Sequence, residues 1–284
     1  MTGSSGRIVV EVLVEVVAMV RRRLASAPLI AGLLLATFAT VQAGLAQAGE
    51  PRALIELFTS QGCSSCPPAD KLVGELSADP SLVALSMPID YWDYLGWKDT
   101  LANPAHSARQ RAYAHVRGDR QVYTPQIVVN GATHVLGSDR AAIDRAIAQT
   151  DQKPGVMSLP VLISMGGSGL DVQVDGAKTD HASGEVWMCP LMKAVQVSIE
   201  RGENHGRTVT YHNVVRNWVK LGDWTGTKID WNVPLSEIEA SEGDAAAVLV
   251  QEGTHDKPGI ILGAAYYALG QQATVDGGLT SQAR

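Results

Sequence analysis

The chain has few cysteines, few aromatic residues and no excess of basic residues. Cysteine accounts for 3 of the 284 residues and aromatic residues for 5%, whereas hydrophobic residues make up 45%, so the core is expected to be mainly aliphatic. Lysine and arginine number 23 against 29 acidic residues, a net charge of -6, and a nucleic-acid-binding surface is therefore not expected. The sequence also has no second C-x-x-C and no H-x-x-x-H spacing, which argues against a four-ligand zinc site.

The most specific stretch is the segment from Ala53 to Asp70. Its first part, Ala53–Thr59, is a short apolar run that ends in a polar turn, which predicts a buried strand. From Pro67 onwards the apolar residues recur at the spacing of one helix face, and proline is tolerated in the first turn of a helix. Cys63 and Cys66 therefore lie where a strand passes into the N-terminus of a helix.

This position favours reactive cysteines. The free N–H groups and partial positive charge of a helix N-terminus favour a thiolate, and they can lower a cysteine pKa from about 8.5 to roughly 3.5–7.5. Cys63, just outside the helix, is placed to act as the nucleophile and Cys66 to close a disulfide, while Asp70 lies close enough in sequence to oppose part of the effect on the pKa. A dithiol redox site is the favoured interpretation, and a soft-metal site and a static bridge are the alternatives.

Two further features support a redox site. Glu56 places a carboxylate within the apolar run, where an acid is costly unless it is neutral, paired or functional. It is a candidate for exchanging protons with Cys66, and the alternative is an edge strand with Glu56 facing water. Thr124-Pro125 precedes a second strand-like run, where a cis peptide bond can present backbone to the redox site. An ordinary trans proline is the alternative there.

The strand, the C-x-x-C at a helix N-terminus and the later Thr-Pro resemble the thioredoxin superfamily. In that superfamily the first cysteine attacks, the second resolves, an acid below them shuttles protons and a cis-proline faces the disulfide. A closer resemblance rests on FTSQGCSSCPPAD, DYWDYLGWKD, VYTPQIVVNG and RGENHGRTVTYHNVV. These segments are similar to a family of secreted bacterial proteins designated domain of unknown function 1223, from about Ala53 to about Ala265.

The resemblance implies a thioredoxin-like fold and no organic cofactor. It implies the superfamily roles for Cys63, Cys66 and Pro125. The role of the acid passes to Glu56, although its spacing to the first cysteine is one residue longer than the usual pattern.

The N-terminal region has the pattern of a secretory signal peptide. Three arginines at 21–23 precede an apolar stretch at 24–41, and small-residue cleavage sites follow. We expect the signal peptide to occupy residues 1–48, with residues 1–18 as an extension upstream of a start at Met19. An uncleaved membrane anchor is the alternative. The expected protein is periplasmic or secreted, has no membrane contact after cleavage, and works where disulfides persist.

A second buried strand, Leu82–Met87, leads into an aromatic segment at Asp90–Asp99. Four aromatic residues and three acids fall within these ten positions. Because ligands bind beyond the carboxyl ends of strands in α/β sheets, the segment is a candidate wall of a substrate groove. The alternative is that the aromatic residues pin a long insertion to the body of the protein. The candidate substrate-binding residues are Tyr91, Trp92, Trp97 and Thr124.

The next elements have local signals. Asn103 is the expected N-cap of a helix whose alanines face inward, and Arg109 and Gln110 on this helix are expected to face water. The run from 126 to 136 has the pattern of a hairpin with a type I′ turn at Asn130-Gly131.

The pattern of the chain changes after residues 151–155, which have the composition of a linker. Alternating apolar and polar residues predict an antiparallel sheet or sandwich over 156–270, and the small, polar residues 271–284 predict a disordered tail. The loop Arg201–Arg207 has three interpretations: an anion site, a contact with the first domain, or a hydrated hairpin loop. Cys189 is expected to be a buried thiol rather than a third redox partner.

The predicted fold is an α/β thioredoxin-like domain at 49–150 followed by a β-rich domain. The predicted function is that of a secreted thiol-disulfide oxidoreductase acting on a protein or small-molecule thiol or disulfide. Two other classes stay open. One is a protein that binds or delivers copper(I) or another soft metal through Cys63 and Cys66. The other is a non-catalytic interaction module in which these cysteines form a structural disulfide.

Overall fold

A mixed sheet of nine strands forms the body of the protein. The computed structural model describes residues 50–119, 121–167, 169–177 and 183–270. The four α-helices in these ranges are α1 Pro67–Leu76, α2 Pro104–Arg117, α3 Arg140–Asp151 and α4 Leu235–Glu239. The strands are β1 Ala53–Thr59, β2 Leu82–Pro88, β3 Gln126–Val129, β4 Thr133–Leu136, β5 Val161–Gly166, β6 Gly169–Val174, β7 Gly184–Ser198, β8 Thr208–Val215, β9 Val219–Trp224, β10 Ile229–Pro234, β11 Ala245–Thr254 and β12 Lys257–Ala268.

The large sheet places β1 in its interior. Its strand order is β12-β11-β7-β8-β2-β1-β3-β4, and β9 also pairs with β7. β1 pairs parallel with β2 and antiparallel with β3, and all seven of its residues are buried. The edge-strand interpretation of Glu56 is therefore wrong. β10, β6 and β5 form a separate three-stranded sheet.

The predicted fold class, an α/β thioredoxin-like domain followed by a β-rich domain, is wrong. The protein is mostly β, and one mixed sheet contains strands from both halves of the chain because β8 pairs parallel with β2. At this junction Ser86 lies opposite Val214, and the Asn213 side-chain amide donates a hydrogen bond of 3.0 Å to the carbonyl of Ala84. Apolar alternation identifies strands in a sequence but does not identify their neighbours, which is why the shared sheet was not predicted.

The two faces of β1 contact different parts of the core, because side chains alternate along a strand. Ile55 and Leu57 pack with apolar residues of α1 and α3. Leu54 and Phe58 pack with a second cluster that includes Tyr113 of α2 and residues of β7, β11 and β12. Glu56 shares the parity of the second face, so its carboxylate points away from α1.

The predicted hairpin over β3 and β4 is confirmed. Asn130 and Gly131 have positive φ angles of 51° and 66°, as a type I′ turn requires. The buried Asn130 side chain accepts a hydrogen bond of 2.7 Å from the backbone N–H of Leu54 and donates one of 2.9 Å to the Thr150 hydroxyl. The turn is thereby fixed to both β1 and α3.

Some sequence predictions fall outside the described residues. These are the signal peptide at 1–48 and the tail at 271–284. Within the ranges that the structure describes, no helix combines the length and the apolar character needed to cross a membrane. The segment predicted as a linker, 151–155, contains the last residue of α3 and the turn that follows it.

Candidate functional site

Cys63 and Cys66 form a disulfide where β1 passes into α1. Their Cα atoms are 5.4 Å apart, and Cys66 is the N-cap residue of α1, directly before Pro67. The Cys66 N–H donates a hydrogen bond of 3.1 Å to the Cys63 carbonyl, which closes the turn around the disulfide, the cysteine turn at residues 60–66. The two cysteines therefore lie between a strand and the N-terminus of a helix, as predicted.

The disulfide has little contact with solvent. Cys63 is 2% exposed and Cys66 is 0% exposed, whereas Ser64 and Ser65 between them are exposed. A reacting thiol therefore reaches the sulfur atoms only through the small exposed part of Cys63 or after the turn has moved. Access of a substrate to the disulfide therefore depends on the segments that pack on this turn.

Trp92 links the cysteine turn to the segment before β3. Its indole N–H donates a hydrogen bond of 2.8 Å to the Thr124 hydroxyl. Its own Cβ lies 3.1 Å from the position that a Cβ would take on Gly62, so a larger residue at Gly62 would press against it. Trp92 is therefore a neighbour of the residue that precedes Cys63, and it joins this residue to Thr124.

Pro125 lies beside the first turn of α1. The Thr124-Pro125 peptide bond is cis, and the Pro125 carbonyl accepts a hydrogen bond of 2.9 Å from the Gly137 N–H. A Cβ on Gly137 would lie 3.0 Å from Pro125 Cβ and 3.3 Å from Ala69 Cβ. Since Ala69 is three residues after Cys66, Gly137 permits a close approach of Pro125 to the helix that carries the disulfide.

The other two aromatic candidates hydrogen-bond to protein groups. The Trp97 indole N–H donates a hydrogen bond of 2.7 Å to the Gln61 side-chain oxygen, two residues before Cys63. The Tyr91 hydroxyl donates one of 3.1 Å to Gln110 on α2, and burial raises the pKa of Tyr91 to about 12. These contacts fix the aromatic segment to the body of the protein, and substrate binding by it stays a prediction.

Asp70 places a buried carboxyl on the same helix as Cys66. Its backbone N–H donates to the Cys66 carbonyl at 3.1 Å, one turn along α1. The buried side chain accepts a hydrogen bond of 2.6 Å from the Thr59 hydroxyl, and its second oxygen has no hydrogen-bond partner within the described ranges. Burial raises the pKa of Asp70 to about 8, against the Thr59 hydrogen bond, and the Asp99 carboxylate acts in the same direction as burial. The group can therefore take up and release a proton near neutral pH.

Asp99 is a second buried acid at the cysteine turn. One carboxylate oxygen accepts a hydrogen bond of 2.8 Å from the Gln61 N–H, and the other accepts one of 2.8 Å from the Leu101 N–H. Burial raises its pKa to about 6 despite these hydrogen bonds. Burial, and after it the charges of Asp70 and Asp99, also raise the pKa of Tyr211.

Asn204 reaches the cysteine turn from the loop Arg201–Arg207. Its side-chain amide donates hydrogen bonds of 2.9 Å to the Gln61 carbonyl and 2.8 Å to the Cys63 carbonyl, and the residue is 1% exposed. Of the three interpretations of this loop, the structure shows the contact with the first part of the chain. Nothing in the local pattern singled out Asn204, because its partners are more than 140 residues earlier in the chain.

Glu56 belongs to a separate buried network. Its oxygens accept hydrogen bonds of 2.6 Å from Arg109 and 2.6 Å from the Tyr113 hydroxyl. Arg109 also donates to Gln251 at 2.9 Å and lies 4.3 Å over the ring of Trp218. The structure places Pro125 near α1 and joins Thr124 to Trp92, whereas Glu56 has its partners on the opposite face of β1. Proton exchange between Glu56 and Cys66 stays a prediction.

Replacing Glu56 with glutamine is expected to lower the free energy of unfolding by about 3 kcal/mol, because a buried guanidinium loses its counter-charge. Glu56 and Arg109 are almost fully buried, with side-chain exposures of 0% and 1%. Urea unfolding measures the change. The control is Glu75→Gln, which removes an exposed pair with Lys71 at 3.9 Å and is expected to cost only a few tenths of a kcal/mol. Equal effects of the two substitutions would contradict the prediction.

Within the described residues, no group of three or more histidine, cysteine, aspartate or glutamate side chains is arranged to hold a metal ion.

Comparisons with known proteins identify the family of this chain. No curated protein matches the sequence. A crystal structure of a protein from Agrobacterium tumefaciens, a structural genomics target, is similar with a TM-score of 0.71 and 28% sequence identity, over 78% of this chain and 96% of that one. The family model described as "Protein of unknown function (DUF1223)" matches residues 54–251, and the chain belongs to this family.

Proposed function

We propose that the protein is a thiol-disulfide oxidoreductase whose reactive group is the Cys63–Cys66 dithiol. The observation that carries the proposal is a disulfide at the N-terminus of α1 with a buried carboxyl, Asp70, one turn further along the same helix. A helix N-terminus stabilises a thiolate, and a carboxyl with a pKa of about 8 exchanges protons under the conditions in which thiols react. Helix α1 therefore provides both the environment that favours a thiolate and the carboxyl that exchanges a proton.

The exchange proceeds in two steps, attack by Cys63 and resolution by Cys66. The Cys63 thiolate attacks one sulfur of a substrate disulfide, which forms a mixed disulfide and releases the other substrate sulfur as a thiolate. Cys66 then gives its proton to the Asp70 carboxylate and attacks the Cys63 sulfur. This step releases the second substrate thiolate and restores the Cys63–Cys66 disulfide. Two electrons pass from the protein to the substrate, and the reverse sequence oxidises a substrate dithiol.

The compartment forms part of the proposal. An N-terminal arginine cluster, an apolar stretch and small-residue cleavage sites favour export to the periplasm or the medium. Disulfides persist in these compartments, so a protein or small-molecule disulfide is available there as substrate.

A structural bridge is the second candidate role for the disulfide. It is favoured by one specific observation, the 2% exposure of Cys63. In that case the cysteines would hold the turn between β1 and α1, and the protein would act as a non-catalytic interaction module. The two candidates differ in how Cys63 behaves once the disulfide has been reduced.

The proposal is tested by the pH dependence of alkylation of reduced Cys63 with iodoacetamide, followed by mass spectrometry. We expect fast alkylation of Cys63 with an apparent pKa below about 7.5, as found for cysteines at helix N-termini. The control is Cys189, whose thiol is buried and whose pKa is raised by burial, so it should react only after unfolding. A Cys63 that is inert in the folded protein, or one that titrates near the ordinary value of about 8.5, would support the structural bridge instead.

A further inference from the structure

We infer that Asn204 is a positioning residue for the dithiol, and that it shifts the equilibrium of Cys63 and Cys66 towards the disulfide. The side chain touches backbone of the cysteine turn rather than the sulfur atoms, so it acts through the shape of the turn. Its importance for turnover rests on the proposed function. Its effect on the equilibrium is a property of the disulfide itself and can be measured whether or not the protein is a catalyst.

The contact uses the full donor capacity of the Asn204 amide. A primary amide has two N–H groups, and these donate to the carbonyls of Gln61 and Cys63 at 2.9 and 2.8 Å. The orientation of the amide is fixed by this pair of acceptors, because exchanging its oxygen and nitrogen would place an oxygen against two carbonyl oxygens. With 1% of the residue exposed, water does not compete for these hydrogen bonds.

The loop that carries Asn204 is itself held in shape. Gly206 N–H donates to the Ile199 carbonyl at 2.8 Å, and Ile199 N–H donates to the Arg207 carbonyl at 2.9 Å. The Asn204 carbonyl accepts from the Arg207 N–H at 3.1 Å. A Cβ on Gly202 would lie 3.3 Å from Trp97 Cβ, so the loop also packs on the aromatic segment. The amide is therefore presented to the cysteine turn by a constrained backbone between β7 and β8.

The direction of the effect follows from what reduction changes. In the oxidised protein the disulfide already restrains the turn, and Asn204 adds little further order. After reduction the covalent restraint is lost, and the two hydrogen bonds then keep the thiols close together at a high effective concentration. Without Asn204 the reduced turn gains conformational freedom, and the dithiol form becomes more favourable.

The equilibrium constant for disulfide formation tests the inference. One protein dithiol and one glutathione disulfide give one protein disulfide and two glutathione thiols, so electrons and protons balance. Asn204→Ala is expected to lower this constant about tenfold, which corresponds to about 30 mV in reduction potential. An unchanged or increased constant in the folded variant would overturn the inference.

Asn213→Ala is the control for the loss of a buried asparagine amide, and its φ of 46° adds a backbone cost to the change in stability. Asn213 is also a buried asparagine, 6% exposed, whose amide donates to a backbone carbonyl, that of Ala84, at 3.0 Å. It joins β8 to β2 rather than a loop to the cysteine turn. The control should lower the free energy of unfolding and leave the glutathione equilibrium unchanged. A shift of the equilibrium equal to that of Asn204→Ala would show a general effect of lost packing and overturn the inference.

A measurement on the unmodified protein covers the case in which Asn204→Ala does not fold. In ¹⁵N-labelled protein, the side-chain amide signals of Asn204 should remain protected from exchange with solvent after reduction, because its two hydrogen bonds to the cysteine turn are retained. Exchange of the Asn204 amide as fast as that of an exposed asparagine in the reduced protein would overturn the inference. If the wild-type protein catalyses no exchange but Asn204→Ala shifts the equilibrium, the proposed function fails and the inference stands. If the wild-type protein catalyses exchange but Asn204→Ala leaves the equilibrium unchanged, the inference fails and the proposed function stands.

Discussion

Replacing Cys63 with serine is expected to reduce disulfide exchange to the uncatalysed rate, whereas replacing Cys66 with serine is expected to trap a mixed disulfide with the substrate. Cys63 is the residue outside α1 and Cys66 is its N-cap, so the first carries the attacking sulfur and the second resolves the intermediate. Without Cys66 the covalent intermediate forms but has no internal thiol to release it. Incubation with glutathione disulfide followed by intact-mass measurement distinguishes the two variants.

Cys189→Ser is the control for the cysteine variants. Cys189 is a free and buried thiol in β7, and it should have no part in the exchange. Its variant is expected to turn over as the wild type does. An adduct located on Cys66 rather than Cys63, or exchange that survives in Cys63→Ser, would contradict the assigned order of attack.

Replacing Asp70 with asparagine is expected to make the oxidised protein more stable at alkaline pH. The pKa of Asp70 rises from 3.8 to about 8 on folding, so the folded protein keeps a proton that the unfolded chain releases above about pH 4. The contribution of Asp70 to the free energy of unfolding therefore falls between about pH 4 and pH 8, by roughly 5 kcal/mol. The asparagine side chain would have no proton to lose, and its oxygen would still accept the Thr59 hydrogen bond.

Urea unfolding of the oxidised wild type and Asp70→Asn at pH 5, 7 and 9 measures this difference. The advantage of the variant should be small at pH 5 and largest at pH 9. Asp144→Asn is the control, because Asp144 is about half exposed and pairs with Arg140 on the surface of α3 at 3.1 Å. A difference between Asp70→Asn and the wild type that is the same at pH 5 and pH 9 would show that Asp70 does not bind a proton on folding.

The same substitution separates the two acids proposed for proton transfer. With reduced protein, Asp70→Asn should slow the resolution step and remove its pH dependence near pH 8. Glu56→Gln should change stability and leave that pH dependence in place, because Glu56 is paired with Arg109 on the other face of β1. A resolution step whose pH dependence is lost only in Glu56→Gln would restore the role predicted for Glu56 from the sequence.

Short-range features of the fold were predictable because their signals lie within a few residues. The disulfide between β1 and α1, the turn at Asn130-Gly131 and the N-cap at Asn103 all depend on local geometry. The structure shows each of them, with the Asn103 side chain accepting a hydrogen bond of 2.9 Å from the Ala105 N–H. In such cases the residue type and its neighbours in sequence carry the information.

The buried face of α2 was not predictable in the same way. Its alanines were expected to face inward and Arg109 and Gln110 to face water, but both polar residues are buried and Ala108 is exposed. Arg109 pairs with Glu56 and Gln251, which lie 53 and 142 residues away in the chain. A polar residue can be assigned to the interior only when its partner is known, because burial without a partner is costly.

The residues of the candidate site likewise fall into those with a local signal in the sequence and those without one. Cys63, Cys66 and Pro125 were found from motifs in single segments, and the structure places Pro125 against the helix that bears the disulfide. Asn204 and Asp99 reach the turn through contacts between distant segments, and no local pattern marks them. The aromatic segment was expected near the site, and its hydrogen bonds to Thr124 and Gln61 depend on how the sheet brings these segments together.

The most direct test of the central claim is the reduction potential of the wild-type Cys63–Cys66 disulfide. The purified protein, without its predicted signal peptide, is equilibrated with glutathione buffers, and the fraction of dithiol is measured by alkylation and mass spectrometry. An exchange-competent site predicts a potential above about -250 mV, within the range of known oxidoreductases. A potential below about -300 mV, typical of structural disulfides in secreted proteins, would contradict the account.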